Sequence, residues 1–500
     1  MRARFLDLPV LFHLFGVASA AMFLPSIFAL SQAAYFDARM FFYTGILGLL
    51  FLVMVALAMA NRKIEETGVQ QLGSLGLGFI ILPIFLAIPE AEILESTKFS
   101  TAYLDMVSAL TTTGLRVFDP DRLPACLHLW RALVAWFGGA LIWISAAAIL
   151  APMNLGGFEL VGTSKSRQTN IQTAEERRAF LLRNSVQLFP IYAALTGILW
   201  LGLTLTGMPG FDGLIYAMSV LATSGITGAT QLSDLSGQWL AEGLIFLFLL
   251  LAVSRATVQA DRNGLRAKVL RRDPEVRFGL LLIAIVTLGL VVRHIFGVVN
   301  AGGMPALTQL FEVLWGILFT TLSFITTTGF VSVHWSAGEQ WSALSTPSVL
   351  FMGLALIGGG VATTAGGVKL LRVYSLYLNA MREVDQLIHP SSVGQISNGH
   401  HQELRSSAFV AWIFFMMFAI ALALITLALA ATGLSFETAL TLCISALSTT
   451  GPLIDLVAPD AVDLVSAGGW TKGILCFAMI LGRFEILVVL AMLSPDAWWR

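Results

Sequence analysis

Charge is what this sequence has least of. Only 12% of its 500 residues are Asp, Glu, Lys or Arg, roughly half the ~25% of a soluble chain. A water-facing surface of ordinary composition is excluded. The formal net charge of -1 lacks the basic excess of a nucleic-acid binder. Three cysteines, Cys126, Cys443 and Cys476, lie far apart and form no C-x-x-C pair, which excludes a disulfide framework and a zinc site. They read as buried apolar residues. The seven histidines scatter over predicted loops and span ends, without the clustered nucleophile, base or metal ligands of an intramembrane enzyme. No G-K-[ST] occurs, and no G-x-G-x-x-G joins a strand to a helix, so no nucleotide-binding fold is expected.

What is present is apolar sequence in long runs. Hydrophobic residues make up 57% of the chain, and the mean hydropathy is +0.82. Segments near 8–31, 39–60, 72–90, 128–152, 185–206, 239–258, 278–299, 346–378, 406–432 and 468–493 approach or exceed the length that crosses a bilayer. The sequence thus predicts an all-α polytopic membrane protein with ten transmembrane helices. Arg2 and Arg4 followed by Ala18-Ser19-Ala20 also fit a cleaved signal, but the apolar stretch continues to Leu30 and favours an uncleaved first helix. With the N-terminus cytoplasmic, ten crossings put 21 of the 29 Lys and Arg residues on the cytoplasmic side, as the positive-inside rule requires. The densest run, 255–277, reads as topology first and as a lipid- or partner-binding patch second.

Four shorter apolar stretches, near 100–113, 212–224, 312–328 and 436–450, lie between spans and suit re-entrant helices. They end alike: Ser108-Ala-Leu-Thr-Thr-Thr-Gly114, Ser219-Val-Leu-Ala-Thr-Ser-Gly225, Ser323-Phe-Ile-Thr-Thr-Thr-Gly329 and Ser445-Ala-Leu-Ser-Thr-Thr-Gly451. The glycines are 111, 104 and 122 residues apart. The repeated unit is span, short helix, T-[TS]-G loop, span. Two crossings return the chain to its starting side, so successive units are parallel and set four loops face to face around one pore. The expected units are residues 66–165, 166–275, 276–400 and 401–500, after two extra N-terminal helices in 1–65.

Irregular backbone at membrane depth survives only when it is buried or lines a water-filled cavity. Carbonyls turned into such a cavity replace an ion's hydration shell. Glycine permits the required backbone angles, and the short helices bring their partly negative C-terminal ends to the site. No carboxylate lies in any signature. Neutral oxygens suit a weakly hydrated monovalent cation better than Ca²⁺ or Mg²⁺. A small-residue packing motif explains the Gly and Ser, but not four T-[TS]-G ends on segments too short to span. A purely structural scaffold leaves those four loops unexplained as well.

With these motifs the chain resembles the Trk/Ktr/HKT superfamily of potassium transporters, most closely its bacterial TrkH-type membrane subunits. The resemblance rests on Ser108–Leu115 with Leu129–Gly139, on Gly358–Arg372 and on Leu481-Gly-Arg-Phe-Glu-Ile486. It implies a potassium filter built from Thr112, Thr113, Gly114 and Leu115; Thr223, Ser224, Gly225 and Ile226; Thr327, Thr328, Gly329 and Phe330; and Thr449, Thr450, Gly451 and Pro452. Four filter glycines go with potassium over sodium in the family; a sodium or mixed monovalent-cation conductor of the same fold is the alternative. The resemblance further implies potassium ions as transported substrate with no cofactor, a bacterial inner-membrane location and cytoplasmic termini. It also implies a homodimer in the lipid bilayer, regulated by a cytosolic nucleotide-binding ring subunit of the TrkA/KtrA kind. The stretch Arg262–Arg277 is the candidate docking surface. Channel-like and ion-coupled transport both stay open.

Gly358-Gly359-Gly360-Val-Ala-Thr363-Thr364-Ala-Gly366-Gly367, followed by Lys369, puts too many glycines in mid-span for a continuous helix. A kinked helix is one reading; an intramembrane gating loop beneath the filter is what the resemblance implies. Val361 to Thr364 stand where the family is richer in Gly and Ser. Arg483 lies deep in the last span, where a charge marks function by default. A local pair with Glu485 is disfavoured, because residues two apart do not face each other on a helix. In the family the matching arginine points into the pore, where it repels cations or anchors the loop. Arg131, Glu159, Arg293 and His294 read as snorkelling span ends, and His400-His401 as a solvated pair.

Overall fold

The computed structural model describes residues 9–59, 68–95, 97–150, 174–230, 232, 238–253, 273–300, 307–335, 347–389, 400–458 and 463–485. Among these, regular structure is entirely helical. The first helices are α1 (Val10–Ala21) and α2 (Phe23–Ser31), joined end to end at the fully buried Met22, and α3 (Tyr35–Ala58). Then come α4 (Gly68–Ile93), α5 (Phe99–Leu110), α6 (Ala125–Ser145, extended by a π turn to Leu150), α7 (Ala174–Leu205) and α8 (Gly210–Ala222). They are followed by α9 (Gln238–Leu249), α10 (Pro274–Asn300), α11 (Leu307–Ile325) and α12 (Pro347–Ile357). The last are α13 (Leu370–Ile388), α14 (His400–Ala430), α15 (Phe436–Leu447), α16 (Leu453–Val457) and α17 (Gly469–Phe484).

Eight helical stretches among the described residues are long and apolar enough to cross a membrane. The other three expected spans fall short for separate reasons. The 239–258 span is described only to Val253, the helix of 468–493 only to Phe484, and 346–378 is broken. Conversely, the stretch near 312–328 belongs to α11, a helix of 19 residues that reaches spanning length. Its extra turns lie upstream, where Thr308, Gln309 and Glu312 interrupt the apolar run.

Large apolar side chains face outward, as on Val17, Leu24, Ile27, Leu47, Met54, Leu201, Leu288 and Leu424. In a soluble protein such a surface drives aggregation; facing acyl chains it is stable. Burial separates the layers: 67% of the apolar window of Gln70–Ile93 is buried, against 22% for Tyr35–Ala58. So α4 is an inner helix and α3 an outer one.

One packing pattern occurs four times. A long helix lies along the short helix that follows it: α4 on α5, α7 on α8, α10 on α11 and α14 on α15. A following helix closes each unit: α6 on α5, α9 on α8, α12 on α11 and, past the five-residue α16, α17 on α15. The N-terminal helices pack outside, against α4 and α6. The basic positions 2, 4, 62, 63, 165, 167, 255–272 and 500 lie outside the described residues. So do Glu159, Ile486 and the side chains of Arg177, Arg178, His400, His401 and Arg405.

Candidate functional site

The four signatures adopt one backbone conformation. Thr112, Thr223, Thr327 and Thr449 all have left-handed φ, between 51° and 57°. For a β-branched residue that is a true outlier, costing ~1–3 kcal/mol, and it persists only where surrounding structure dictates it. The serine opening each signature supplies part of that dictation. The Ser108 carbonyl accepts the N–H groups of Thr113 and Gly114 (2.8 and 3.3 Å), and that of Ser323 accepts Thr328 and Gly329 (2.9 and 3.2 Å). Ser219 and Ser445 accept Ser224 and Thr450 in the same way (3.0 and 2.9 Å). These serines staple the loop back onto its helix. The filter residues expected from the sequence do not include these serines; their recurrence in all four signatures is the one sequence signal for this role.

The loops close a ring in chain order. A Cβ added to Gly114 overlaps the Ser224 carbonyl oxygen, and one on Gly225 overlaps that of Thr328. A Cβ on Gly329 meets Pro452 at 3.0 Å, and one on Gly451 overlaps the backbone of Gly114 and Leu115. The Gly451 N–H donates to the Thr113 carbonyl (2.6 Å), joining the last loop to the first. Gly114, Gly225 and Gly329 also have φ of +69°, +67° and +80°. At Gly451 the crowding alone demands glycine.

Polar atoms line this ring without protein partners. The hydroxyls of Thr112, Thr223 and Thr449 are buried and unbonded. Thr327 differs: its hydroxyl accepts the N–H of Gly366 at 2.8 Å.

Gly366 belongs to the break in the eighth expected span. Helix α12 stops at Ile357, α13 begins at Leu370, and residues 358–369 cross between them without helix. Gly358, Ala362, Gly367 and Lys369 take positive φ there, so the segment is a loop and not a kinked helix. It lies directly against the threonine loops. The Thr364 hydroxyl donates to Leu221 O (3.2 Å), and a Cβ on Gly366 overlaps Ser448 O and Thr449 Oγ1. Within the loop the Thr363 hydroxyl donates to Gly360 O at 2.7 Å, and the Lys369 ammonium donates to Ala365 O. From outside it, Glu275 accepts the Val361 N–H at 2.8 Å, and the Gly360 N–H bonds Ala252 O at 3.1 Å. Gly359 packs against that same carbonyl.

Arg483 donates to the Thr364 carbonyl (2.6 Å), so it contacts the loop. Glu485 does not pair with it. Its partner is Arg372 of α13 (2.7 Å), which also stacks over Phe414 at 3.9 Å. Arg131, expected to snorkel, is buried beside the first ring loop with Asp105, because α5 offers it a carboxylate inside the protein. His294 is buried too, whereas Arg293 is exposed.

A family described as "Cation transport protein" (TrkH) matches residues 243–498. The Trk system potassium uptake protein TrkI of Halomonas elongata is 31% identical over 431 residues, covering 84% of this chain and 81% of that one. The Trk system potassium uptake protein TrkH of Vibrio parahaemolyticus is 28% identical over 409 residues, covering 79% of each chain. The crystal structure of the potassium transporter TrkH from Vibrio parahaemolyticus superposes with a TM-score of 0.80 at 24% identity, covering 100% of both chains. That likeness concerns the fold.

Proposed function

The chain belongs to the TrkH family of cation transport proteins, and from that premise we propose that it takes potassium through the ring of four T-[TS]-G loops. The observation that carries this reading is the cyclic contact of the four loops together with three buried, unbonded threonine hydroxyls facing no protein donor. Carbonyl and hydroxyl oxygens held by a strained, stapled backbone replace water around a monovalent ion without binding it too tightly to leave. Each short helix delivers its partly negative C-terminal end to the same place.

In this reading α5, α8, α11 and α15 are pore helices, and α11 does not span despite its length. The remaining seven long helices, with α9, the broken α12–α13 segment and α17, make ten crossings. The pore repeats are residues 66–165, 166–275, 276–400 and 401–500. The loop 358–369 is the gate beneath the filter and Arg483 its anchor, with the arginine's charge adding a barrier to cations. The protein works in the bacterial inner membrane with both termini cytoplasmic. It functions as a homodimer, and a cytosolic nucleotide-binding ring supplies the force on the gate; the stretch 262–277 is where it docks. Uptake of radioactive rubidium into proteoliposomes tests the reading. Uptake suppressed by external potassium and not by sodium supports it; suppression by sodium as strong as by potassium replaces it with a mixed-cation conductor.

A further inference from the structure

The first ring loop is braced from behind by groups outside the conduction path. Arg131 of α6 donates Nε–H to Asp105 Oδ2 at 2.7 Å and Nη2–H to Asp105 Oδ1 at 2.9 Å. Nη2 also reaches the carbonyl of Leu115, the residue after Gly114, at 3.2 Å. A guanidinium is planar, so the two-pronged grip of Asp105 fixes where its remaining N–H points. Glu90 of α4 sets its carboxyl within hydrogen-bond reach of Asp105. Glu90, Asp105 and Arg131 are 0%, 1% and 6% exposed, so water does not arbitrate among them.

The charges do not balance. Two carboxyl groups face one guanidinium, and Asp105 takes both of its parallel bonds. Neither oxygen of Glu90 meets an N–H or O–H donor. The other titratable groups facing the cluster are His128 of α6 and, beyond it, Asp212 of α8. His128 is engaged through Nε2 with the Pro120 carbonyl at 3.0 Å. Two buried carboxylates in contact, with no donor between them, repel and forgo all solvation. A carboxylic acid donating to a carboxylate removes both penalties.

We propose that Glu90 and Asp105 bind one proton between them, and that this acid–carboxylate pair holds Arg131 on the Leu115 carbonyl. The bound ligand is a proton, and Arg131 is a positioning residue for the filter. Loss of the proton as pH rises leaves two negative charges against one positive. Glu90 then competes for Nη2 and draws it from Leu115. The proton site stands on its own geometry; its effect on selectivity rests on the filter reading above.

The test joins infrared spectroscopy to bi-ionic potentials in lipid. Wild type should show the C=O band of a buried carboxylic acid, absent in Glu90→Gln. Wild-type potassium-over-sodium selectivity should fall about tenfold in alkali, the effect of losing one charge-assisted hydrogen bond, and Glu90→Gln should lose that fall. Glu90→Asp keeps the acid but retracts it, so it should retain a shifted band. A band that persists unchanged in Glu90→Gln overturns the proposal, as does a wild-type ratio that stays flat into alkali. A sodium ion in the proton's place predicts no acid band and sodium-dependent thermal stability, which also overturns it. The infrared result decides the proton whether or not the filter reading survives.

Discussion

The N–H of Gly366 donates to the hydroxyl of Thr327 across 2.8 Å, tying the broken span to the one of the four left-handed threonines whose hydroxyl is bonded. In the proposed reading this hydrogen bond joins gate to filter: with the loop in place three of the four left-handed threonine hydroxyls are left to an ion, and withdrawing the loop would release the fourth.

Thr327→Ala should raise basal flux about fivefold, since one hydrogen bond of ~1 kcal/mol leaves the closed state. Thr112→Ala should lower flux, because that buried hydroxyl has no protein partner and in the proposed reading is left to the ion. Tracer flux through the lone chain in liposomes is the measurement. Equal effects of the two substitutions would remove the asymmetry from the gating account.

Arg483 acts through its charge, its hydrogen bond to Thr364 O, or both. Arg483→Ala removes both and should increase flux the most. Arg483→Gln keeps a donor and removes the charge, so it should fall between Ala and wild type. Flux at the wild-type level in both variants, with normal expression, would place the arginine outside the path.

The Arg372–Glu485 pair joins the loop's exit helix to the end of the last described helix. Breaking a buried pair by removing one partner costs ~3–5 kcal/mol. Arg372→Gln should therefore lower the unfolding midpoint in detergent clearly, and by more than Arg293→Gln, which alters an exposed residue. Matching midpoints would mean the pair adds nothing to stability.

What was legible in the sequence was whatever repeats or stands out locally. The four signatures, the glycine-rich break and Arg483 announce themselves within a few residues. Partnerships across the chain do not. Arg131 reads as a snorkelling side chain because its carboxylate lies 26 residues upstream on another helix. Glu485 finds Arg372 at a separation of 113 residues, past a nearer arginine that its helix turns away from it. Length alone does not decide α11: it is long enough to cross, and its ending in the ring supports the reading that it does not.

Purified alone, the chain should show no change in conductance with ATP, ADP or NADH. It carries no glycine-rich phosphate loop between a strand and a helix, and a ligand moves a gate only by binding its states unequally. A response should appear once a cytosolic ring subunit is added. A direct response of the lone chain would expose a nucleotide site within these 500 residues.

The central claim is that the four glycine loops form one potassium-selective ring, and Gly114→Ser tests it most directly. The new side chain strains a backbone at φ +69° and drives its Cβ into the Ser224 carbonyl of the next loop, displacing an oxygen of the proposed filter. Bi-ionic reversal potentials in liposomes give the permeability ratio. Potassium should be strongly preferred in wild type, and sodium should enter in Gly114→Ser. An unchanged potassium-to-sodium ratio in that variant, at normal expression, would contradict that claim.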